Sequence, residues 1–389
     1  MPIIAFPSES SEQEHRCALM PSNVKSYKRL GYDVYFEKGL GRLQDIKDQD
    51  YIDAGATLAN SRAELLKKAQ LVVSVRALPV ADLPHVANKN IISFLDAFNN
   101  ASYIDTLCEH KVTSFSMEMI PRSTRCQKMD ALSSQASLAG YAMVAQALQH
   151  YKAILPMLMT AAGTIKPAKV FVIGAGVAGL QAIATAKRLG ATVTAFDTRT
   201  VVAEQVKSLG AKFLDIDLGK TSQTAQGYAE ALTEAQLQKQ QAAQAQCIIE
   251  SDIVITTAQL FGRKPPLLID KSIVEQMKPG SVIVDMAALD GGNVEGTVPG
   301  EVVNLNGVTL IGTGNWTNSV SYNASQMYAN NLQNLISEFT DSEGKQFIID
   351  LTDDIQENAV ITHHGEINNA MVRDVLSQKE QNTIQEEAS

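Results

Sequence analysis

The sequence is poor in the residues that build disulfide frameworks and metal centres. Its 389 residues include four cysteines and six histidines. The cysteines show no CxxC spacing and no histidine at metal-ligand spacing, so we expect no metal site and reduced thiols of the cytosolic kind. No apolar run approaches the ~20 residues that a membrane span needs, and the N-terminus lacks the basic segment of a signal peptide. Direct membrane insertion is therefore not expected.

Basic residues are also scarce. Lysine and arginine total 33 against 42 acidic residues, which gives a net charge of −9. Because a nucleic-acid backbone is bound by clustered Lys and Arg, this balance argues against a nucleic-acid partner. The apolar share of 45% excludes disorder as a description of the whole chain. At ~150 residues per domain, the length predicts two or three domains.

Residues 1–120 alternate short apolar runs with helix-like segments such as 21–30 and 61–69. Apolar runs bounded by turns predict buried parallel strands, and their alternation with helices predicts a doubly wound α/β domain. The predicted strands are Ile3–Phe6, Tyr32–Phe36, Leu71–Val75, Ile91–Leu95 and Val112–Ser116.

A second α/β unit begins near Lys169, and a helix is predicted over Leu180–Leu189. Six strands with intervening helices match one complete dinucleotide-binding domain. These strands are predicted at Lys169–Ile173, Thr192–Phe196, Lys212–Leu214, Asp252–Thr256, Ser281–Val284 and Val308–Ile311.

The first strand of this unit is followed by the sequence GAGVAG, residues 174–179. Gly174 permits a tight turn, Gly176 lets a pyrophosphate approach the backbone, and Gly179 lets the helix pack against the strand. The helix N-terminus then offers N–H groups and partial positive charge to phosphates. The pattern predicts a dinucleotide site, and the alternative is a glycine-rich turn without a ligand.

Asp197 ends the next strand, 23 residues after Gly174. An acid at this place accepts hydrogen bonds from the adenosine ribose hydroxyls and repels a 2′-phosphate, which favours NAD(H) over NADP(H). Arg199 argues the other way, because a nearby arginine accommodates that phosphate. Asp197 could also merely cap the following helix.

A second group of polar residues, the polar loop 121–135, has the sequence PRSTRCQKMDALSSQ and opens a long helix. A carboxamide such as that of nicotinamide needs a donor and an acceptor opposite it. Arg122 supplies donors, Asp130 acceptors and Ser133 either. Asp130 and Ser133 lie three apart, on one helix face. On spacing alone, an ordinary capped helix start is the favoured interpretation.

Two helices are predicted to join the two α/β units, one from Asp130 to about Met159 and one from about Ser325 to Phe339. The predicted fold class is α/β, with two Rossmann-like doubly wound parallel-sheet domains joined by two long helices. The predicted domains are residues 1–130 with 325–389, and residues 131–324.

Three other segments are polar. The Ala- and Gln-rich stretch 221–246 is predicted to form a solvent-facing helix. The stretch 219–227 is predicted to be a mobile loop of the kind that acts as a lid beside a cofactor cleft. The acidic tail from Gln378 to Ser389 is expected to fray.

With the glycine loop and the polar loop both identified, the chain resembles domain I of proton-translocating NAD(P) transhydrogenase, its NAD(H)-binding alpha part, over nearly the whole length. The polar loop is similar to that family's arginine–glutamine–aspartate loop, and residues 163–199 resemble the family closely. Further matches are Thr256-Thr257-Ala258, residues 277–285, Gly291-Gly292-Asn293 and Gly227-Tyr228-Ala229.

The resemblance implies a role for each matched residue. Arg122, Asp130 and Ser133 would hold the nicotinamide carboxamide of NAD(H), and Gln127 would reach toward NADP(H) on a partner subunit. Tyr228 would close over NAD(H). Hydride would pass directly between the two nicotinamide rings, and Arg122, Gln127 and Asp130 are expected to carry this step. The other residues expected to bind NAD(H) are Gly174, Gly176, Val177, Ala178, Gly179, Asp197, Thr198, Arg199, Gly227, Thr257, Ala258 and Leu260.

The resemblance also implies partners. The chain resembles the split form of the enzyme, in which a soluble alpha-1 subunit forms a homodimer and pairs, at the cytoplasmic face, with membrane-embedded and NADP(H)-binding subunits. One departure precedes the last helix, where the family commonly has Asn-Val-Pro-Ser-Arg and this chain has Asn315-Trp316-Thr317-Asn318-Ser319. Ser319 in place of the arginine changes contacts expected at the interdomain cleft.

Alanine dehydrogenase, which has the same two-domain plan, is the alternative enzyme. Arg16 and Arg76 stand where that enzyme's substrate-binding arginine and lysine would be. Oxidising an amino acid also removes a proton and so needs a positioned proton carrier, whereas hydride exchange between nicotinamide rings needs proximity and alignment. Asp96 stands in place of the expected histidine. Leu289 stands in place of the catalytic aspartate, with Asp290 one place late.

A non-enzymatic NAD-sensing module is a third hypothesis, which the glycine loop allows. The polar loop argues against it, because a sensor of the adenine end has no need to orient nicotinamide. Alanine-dependent NADH formation by the isolated chain would support the dehydrogenase, and NADH binding without that activity would fit transhydrogenase.

Overall fold

The computed structural model describes residues 1–216, 234–259, 264–341, 343 and 346–387, without the side chains of 234–237 and 380–387. The chain divides into two compact units, a first unit of residues 1–135 with 320–389 and a second unit of residues 136–319. The domain ranges predicted from the sequence stay a prediction.

Strands carry most of the buried residues of both units. In chain order, the described strands are β1 (Ile3–Phe6), β2 (Asp33–Phe36), β3 (Thr57–Leu58), β4 (Leu71–Arg76), β5 (Asn90–Phe94), β6 (Thr113–Ser116), β7 (Leu158–Thr160), β8 (Gly163–Ile165), β9 (Lys169–Ile173), β10 (Thr192–Phe196), β11 (Lys212–Phe213), β12 (Ile253–Thr256), β13 (Val282–Asp285), β14 (Val302–Leu305), β15 (Val308–Ile311), β16 (Val360–His363) and β17 (Glu366–Ile367).

Helices follow most of the strands, as a doubly wound fold requires. The described helices are α1 (Pro21–Arg29), α2 (Asp48–Asp53), α3 (Arg62–Lys68), α4 (Ala101–Glu109), α5 (Ala131–His150), α6 (Val177–Arg188), α7 (Ala203–Ser208), α8 (Glu234–Glu250), α9 (Lys271–Val274), α10 (Ser321–Glu338), α11 (Asp354–Ala359) and α12 (Ala370–Glu387). None of them combines the length and the apolar character needed to cross a bilayer, as far as the description extends.

The first unit is built on an eight-stranded sheet with the order β17-β16-β6-β5-β4-β1-β2-β3. Strands β1 to β6 are parallel, and β16 pairs with β6 in the antiparallel sense. Residues 4–6 and 71–75 are buried throughout because helices cover both faces of the sheet. The order of β1 to β6 is 3-2-1-4-5-6, which is that of a doubly wound dinucleotide-binding fold.

The second unit has a seven-stranded sheet with the order β11-β10-β9-β12-β13-β15-β14. Its parallel strands again follow the order 3-2-1-4-5-6, and the edge strand β14 pairs with β15 in the antiparallel sense. The predicted α/β class with two doubly wound sheets is therefore confirmed. In such a sheet ligands bind at the carboxyl ends of the strands where the order reverses, here between β9 and β12.

The long helix α5 is shorter than the sequence predicted. It ends at His150, and residues 158–165 form the antiparallel hairpin of β7 and β8. Pro156 explains the difference, because proline lacks an N–H donor and disfavours helical geometry in the residue before it. The division into units falls within α5, and α10 belongs wholly to the first unit. That two long helices join the units stays a prediction.

The polar segments have three outcomes. The predicted lid, residues 219–227, lies outside the described residues. Of the predicted helix over 221–246, the described part belongs to α8. The tail that was expected to fray from Gln378 instead continues as α12 to Glu387.

Candidate functional site

The glycine loop connects β9 to α6 at the carboxyl end of the second sheet. Gly174 has a φ of +97°, a conformation that favours glycine, and a Cβ there would collide with the Thr257 hydroxyl. A Cβ on Gly179 would collide with the carbonyl oxygen of Gly174. Both glycines are therefore required by the turn and by the close packing of the helix on the strand.

Gly176 differs from the other two glycines. It precedes the first residue of α6, and a Cβ built on it meets no heavy atom of the described chain within 4 Å. Val177 is 45% exposed and Ala178 is buried. The first N–H groups of a helix have no intrahelical acceptors and attract anions. The open space at Gly176 thus fits the approach of a phosphate, whereas packing alone does not explain a glycine there.

Thr257 follows β12 and fixes the glycine loop from the neighbouring strand. Its N–H donates to the carbonyl of Ile173 at 2.8 Å, and its hydroxyl lies 3.1 Å from the carbonyl oxygen of Gly174. The loop is therefore held at the point where the strand order reverses. Leu260, also expected to bind NAD(H), lies outside the described residues, as do Gly227 and Tyr228.

Asp197 ends β10 beside the same loop, and its carboxylate accepts four hydrogen bonds. The N–H of Ala175 donates to Oδ2 at 2.8 Å, and Arg199 donates from its N–H, Nε and Nη2 at 2.8, 3.0 and 2.9 Å. Burial raises the pKa of Asp197, but the donors from Arg199 and Ala175 outweigh it, so the pKa lies below its usual range. Asp197 is thus ionised, and Arg199 pairs with it. Thr198 between them is exposed.

In the polar loop, Asp130 caps the start of α5. Its Oδ1 accepts the N–H of Ser133 at 2.8 Å and its Oδ2 accepts the Ser133 hydroxyl at 2.6 Å. The capped helix start that spacing favoured is therefore present. The side chains of Arg122 and Gln127 are exposed and have no hydrogen-bond or ion-pair partner within the part of the chain that the structure describes.

The backbone of the polar loop is nevertheless anchored within the first unit. Arg125 forms ion pairs with Glu338 at 3.1 Å and Asp353 at 2.7 Å. The carbonyl of Lys128 accepts hydrogen bonds from the side chains of Asn331 and Asn334, both at 3.0 Å. Exposed donors thus stand on a fixed backbone, as recognition of a ligand requires.

A buried ion cluster, which the sequence did not predict, lies at the carboxyl end of the first sheet. The Glu14 carboxylate pairs with Arg16 at 2.6 Å and Arg76 at 2.9 Å, and Arg16 also donates to Gln135 at 3.0 Å. Burial raises the pKa of Glu14, but the guanidinium of Arg16 more than offsets it and brings the pKa to about 2. The two-residue spacing of Glu14 and Arg16 was the available signal. Glu9 accepts the N–H groups of Val75 and Arg76 in the same place.

The residues that distinguish the alternative enzyme also have partners. Asp96 is exposed, with a φ of +49°, and accepts a hydrogen bond from Asn99 at 3.0 Å. Leu289 is 47% exposed, and the neighbouring Asp290 accepts a hydrogen bond from Gln259 at 2.6 Å.

The structure brings the predicted site residues together in two groups, one in each unit. Around the glycine loop of the second unit are Gly174, Gly176, Val177, Ala178, Gly179, Asp197, Thr198, Arg199, Thr257 and Ala258. On the polar loop are Arg122, Gln127 and Asp130, with Ser133 in the first turn of α5.

Two domain models match the chain: the N-terminal domain of the alanine dehydrogenase/PNT family over residues 5–139, and its C-terminal domain over residues 143–370. The first of the separately named parts of NAD(P) transhydrogenase subunit alpha in Rhodospirillum rubrum is 41% identical over 372 residues, which is 94% of this chain and 97% of that protein. A crystal structure of transhydrogenase from Sinorhizobium meliloti has a TM-score of 0.85 at 40% identity, over 94% of this chain and 99% of that one.

A solved structure of L-alanine dehydrogenase has a TM-score of 0.81 at 24% identity, over 97% of this chain and 99% of that one, which is a likeness of fold alone. The two matched domain models span most of the chain, and the transhydrogenase subunit is similar over nearly its full length. The chain therefore belongs to the alanine dehydrogenase/PNT family, together with the NAD(P) transhydrogenase alpha subunits.

Proposed function

We propose that the chain is the NAD(H)-binding subunit of an NAD(P) transhydrogenase of the Re/Si-specific type. In this proposal, hydride passes directly between NAD(H) held here and NADP(H) held on a partner subunit. The observation that carries the proposal is the open cradle at Gly176, in a chain 41% identical to a transhydrogenase alpha subunit over 97% of that subunit. A Cβ-sized space beside a helix N-terminus fits a dinucleotide pyrophosphate.

Each described residue has a task in this proposal. The N–H groups of Val177 and Ala178 bind the pyrophosphate, and Asp197 accepts the ribose hydroxyls after the Arg199 guanidinium moves aside. The bound nucleotide supplies a hydride at its nicotinamide C4. Arg122 and the Asp130–Ser133 pair orient the carboxamide, since Ser133, which donates to Asp130, keeps acceptor lone pairs.

Gln127 is assigned to the partner's nucleotide. Its side chain is exposed on an anchored loop and has no partner in the described structure, so it is available for a second ligand. Hydride exchange between nicotinamide rings moves no proton. Alignment of the two rings is therefore the main contribution that this subunit makes to the rate.

We also propose that the subunit is a homodimer. The β7–β8 hairpin exposes Met157 at 59%, Met159 at 70% and Ile165 at 48%. A two-stranded hairpin is marginal on its own, and exposed apolar groups in one place indicate an interaction surface. A second copy is the proposed occupant. Sedimentation of Met159→Glu should then give a smaller species than the unmodified chain.

The remaining partners in this proposal are membrane-embedded and NADP(H)-binding transhydrogenase subunits. The chain would reach the cytoplasmic face of the membrane only through them. Relatives named as a transhydrogenase alpha subunit, or as one portion of it, support this assignment, because those names designate subunits of a larger enzyme.

The experiment that tests the proposal mixes the purified chain with an NADP(H)-binding transhydrogenase domain. Reduction of an NAD analogue by NADPH should require both proteins. Reduction by either protein alone, or none by the mixture, would contradict the proposal.

Alanine dehydrogenase activity is the second candidate, because the matched domain models are named for both enzymes. That reaction needs a proton carrier. Asp96 could serve only if it were released from Asn99, and Leu289 has no ionisable group. We expect no alanine-dependent NADH formation by the isolated chain, and such activity would favour the dehydrogenase.

A further inference from the structure

Asn293 connects two loops at the carboxyl end of the second sheet. Its side chain is completely buried, and its Nδ2 donates to the carbonyl of Ala258 at 2.9 Å and to that of Pro266 at 2.8 Å. Ala258 lies after β12 and Asn293 after β13, and these strands are neighbours. One amide group therefore fixes backbone from both strand ends.

Asn293 is itself held by Asp285, the last residue of β13. Oδ2 of Asp285 accepts the N–H groups of Asn293 at 2.9 Å and Val294 at 3.1 Å. A Cβ on Gly292, where φ is +74°, would lie 2.9 Å from the same oxygen. Burial raises the pKa of Asp285, and these N–H donors oppose that rise. The loop thus winds around one carboxylate and presents Asn293 in a fixed position.

The position of this bridge relates it to one half of a dinucleotide. With the strand order 3-2-1-4-5-6, a dinucleotide lies across the switch point. Asp197 follows β10, on the adenosine side of β9. Ala258 and Asn293 follow β12 and β13, on the opposite side, where the nicotinamide half would lie.

The chemistry of the bridge requires an amide donor. Both hydrogens of Nδ2 are used, while Oδ1 is buried without a hydrogen-bond partner among the described residues. Aspartate has the same shape but no N–H, so it would place an anion against two carbonyl oxygens. Serine can restore one of the two hydrogen bonds.

We propose that Asn293 is a positioning residue that holds the Ala258 backbone for the nicotinamide half of NAD(H). This inference rests on the proposed function and adds that Asn293 sets affinity for the whole dinucleotide but not for its adenosine half. The Ala258 carbonyl is turned toward Asn293, so the adjoining backbone has one defined position before the ligand arrives.

The test compares NADH with 5′-AMP as calorimetric ligands of the full chain. Asn293→Asp and Asn293→Ala should weaken NADH binding by about tenfold, or ~1.4 kcal/mol, and change AMP binding by less than about twofold. Asn293→Ser should recover part of the loss seen with Asn293→Ala. Asn304→Ala, which removes an exposed turn hydrogen bond to the Gly307 N–H, is the matched control and should change neither affinity.

Equal losses for NADH and AMP would mean general loosening of the unit and would overturn the inference, as would unchanged NADH binding. If Asn293→Asp does not fold, the comparison of Asn293→Ala with Asn293→Ser decides, and equal affinities for these two contradict the positioning role. Failure of the unmodified chain to bind NADH would contradict the proposed function instead. Normal binding and hydride transfer with an insensitive Asn293 would contradict this inference alone.

Discussion

The carboxylate of Asp197 is engaged by its own neighbour Arg199, whose main-chain N–H and guanidinium donate hydrogen bonds of 2.8–3.0 Å. The Arg199 side chain is 50% exposed and that of Asp197 only 7%. Exposed ion pairs contribute about 0–1 kcal/mol, so a ribose can displace the guanidinium at little cost. The Ala175 N–H, which also donates to Asp197, can stay in place.

Asp197→Ala should weaken NADH binding by about tenfold or more, because a charge-assisted hydrogen bond contributes about 1.5–3 kcal/mol. Arg199→Ala should change NADH affinity by less than about threefold, since only an exposed pair is lost. Titration calorimetry measures both. Asp270→Ala, at an exposed residue that makes no side-chain cap hydrogen bond, is the control. Unaltered affinity in Asp197→Ala would remove Asp197 from the site.

Gly176→Ala and Gly179→Ala should separate binding from folding. The first places a methyl group in open space, so the melting temperature should hardly change while NADH affinity falls by about tenfold. The second drives a methyl group into the Gly174 carbonyl and should destabilise the unit by about 1–3 kcal/mol. Thermal unfolding with and without NADH measures both effects. An unchanged NADH affinity in Gly176→Ala would contradict the pyrophosphate cradle.

Gln127→Asn should leave NADH affinity and stability almost unchanged and slow hydride transfer strongly. The side chain is exposed and makes no contact that the described structure needs, so only a ligand on the partner would miss it. Transient kinetics of the reconstituted complex gives the transfer rate, and a titration of the isolated chain gives the affinity. An unchanged transfer rate would show that the role assigned to Gln127 is wrong.

The inner strands of both sheets were predictable because burial on two faces makes them continuous apolar runs. Strands β9, β10 and β15 have the predicted bounds. The edge strand β14 was missed because its residues alternate between exposed and half-buried, without a continuous apolar run. The end of α5 was misplaced because apolar residues 154–159 look like buried helix, although Met159 is 70% exposed.

The candidate site was predictable where local geometry sets the residue type. A positive φ at Gly174 and the cap formed by Asp130 with Ser133 both involve neighbours in sequence. The bond from Asn293 to Ala258 joins residues 35 positions apart, and only the folded sheet brings them together. Likewise, the sequence identified Arg76 but not its pairing with Glu14.

Glu14 should make stability depend on pH in the acid range. Its pKa falls from 4.5 to about 2 on folding, so its contribution is fully present above pH 4.5 and is lost as the pH falls toward 2. At 1.36 kcal/mol per pKa unit, the contribution is roughly 3 kcal/mol. Glu14→Gln should be less stable at pH 7, because Arg16 is left buried without its partner. The difference from the unmodified chain should shrink as the pH falls.

Urea unfolding of both chains at pH 7 and at pH 3.5 measures this difference. Gln has nearly the same shape as Glu, so packing is matched and the charge is the variable. A stability difference that stays constant across this range would contradict the assigned pairing.

The most direct test of the central claim follows a deuterium label at C4 of NADH, on the face that is transferred. The unmodified chain, an NADP(H)-binding transhydrogenase domain and NADP⁺ are mixed, and the products are examined by mass spectrometry. Direct transfer predicts that the label appears in NADPH and none in water, and that omitting either protein abolishes the transfer. Label lost to solvent, or NADPH formed without this chain, would contradict the account.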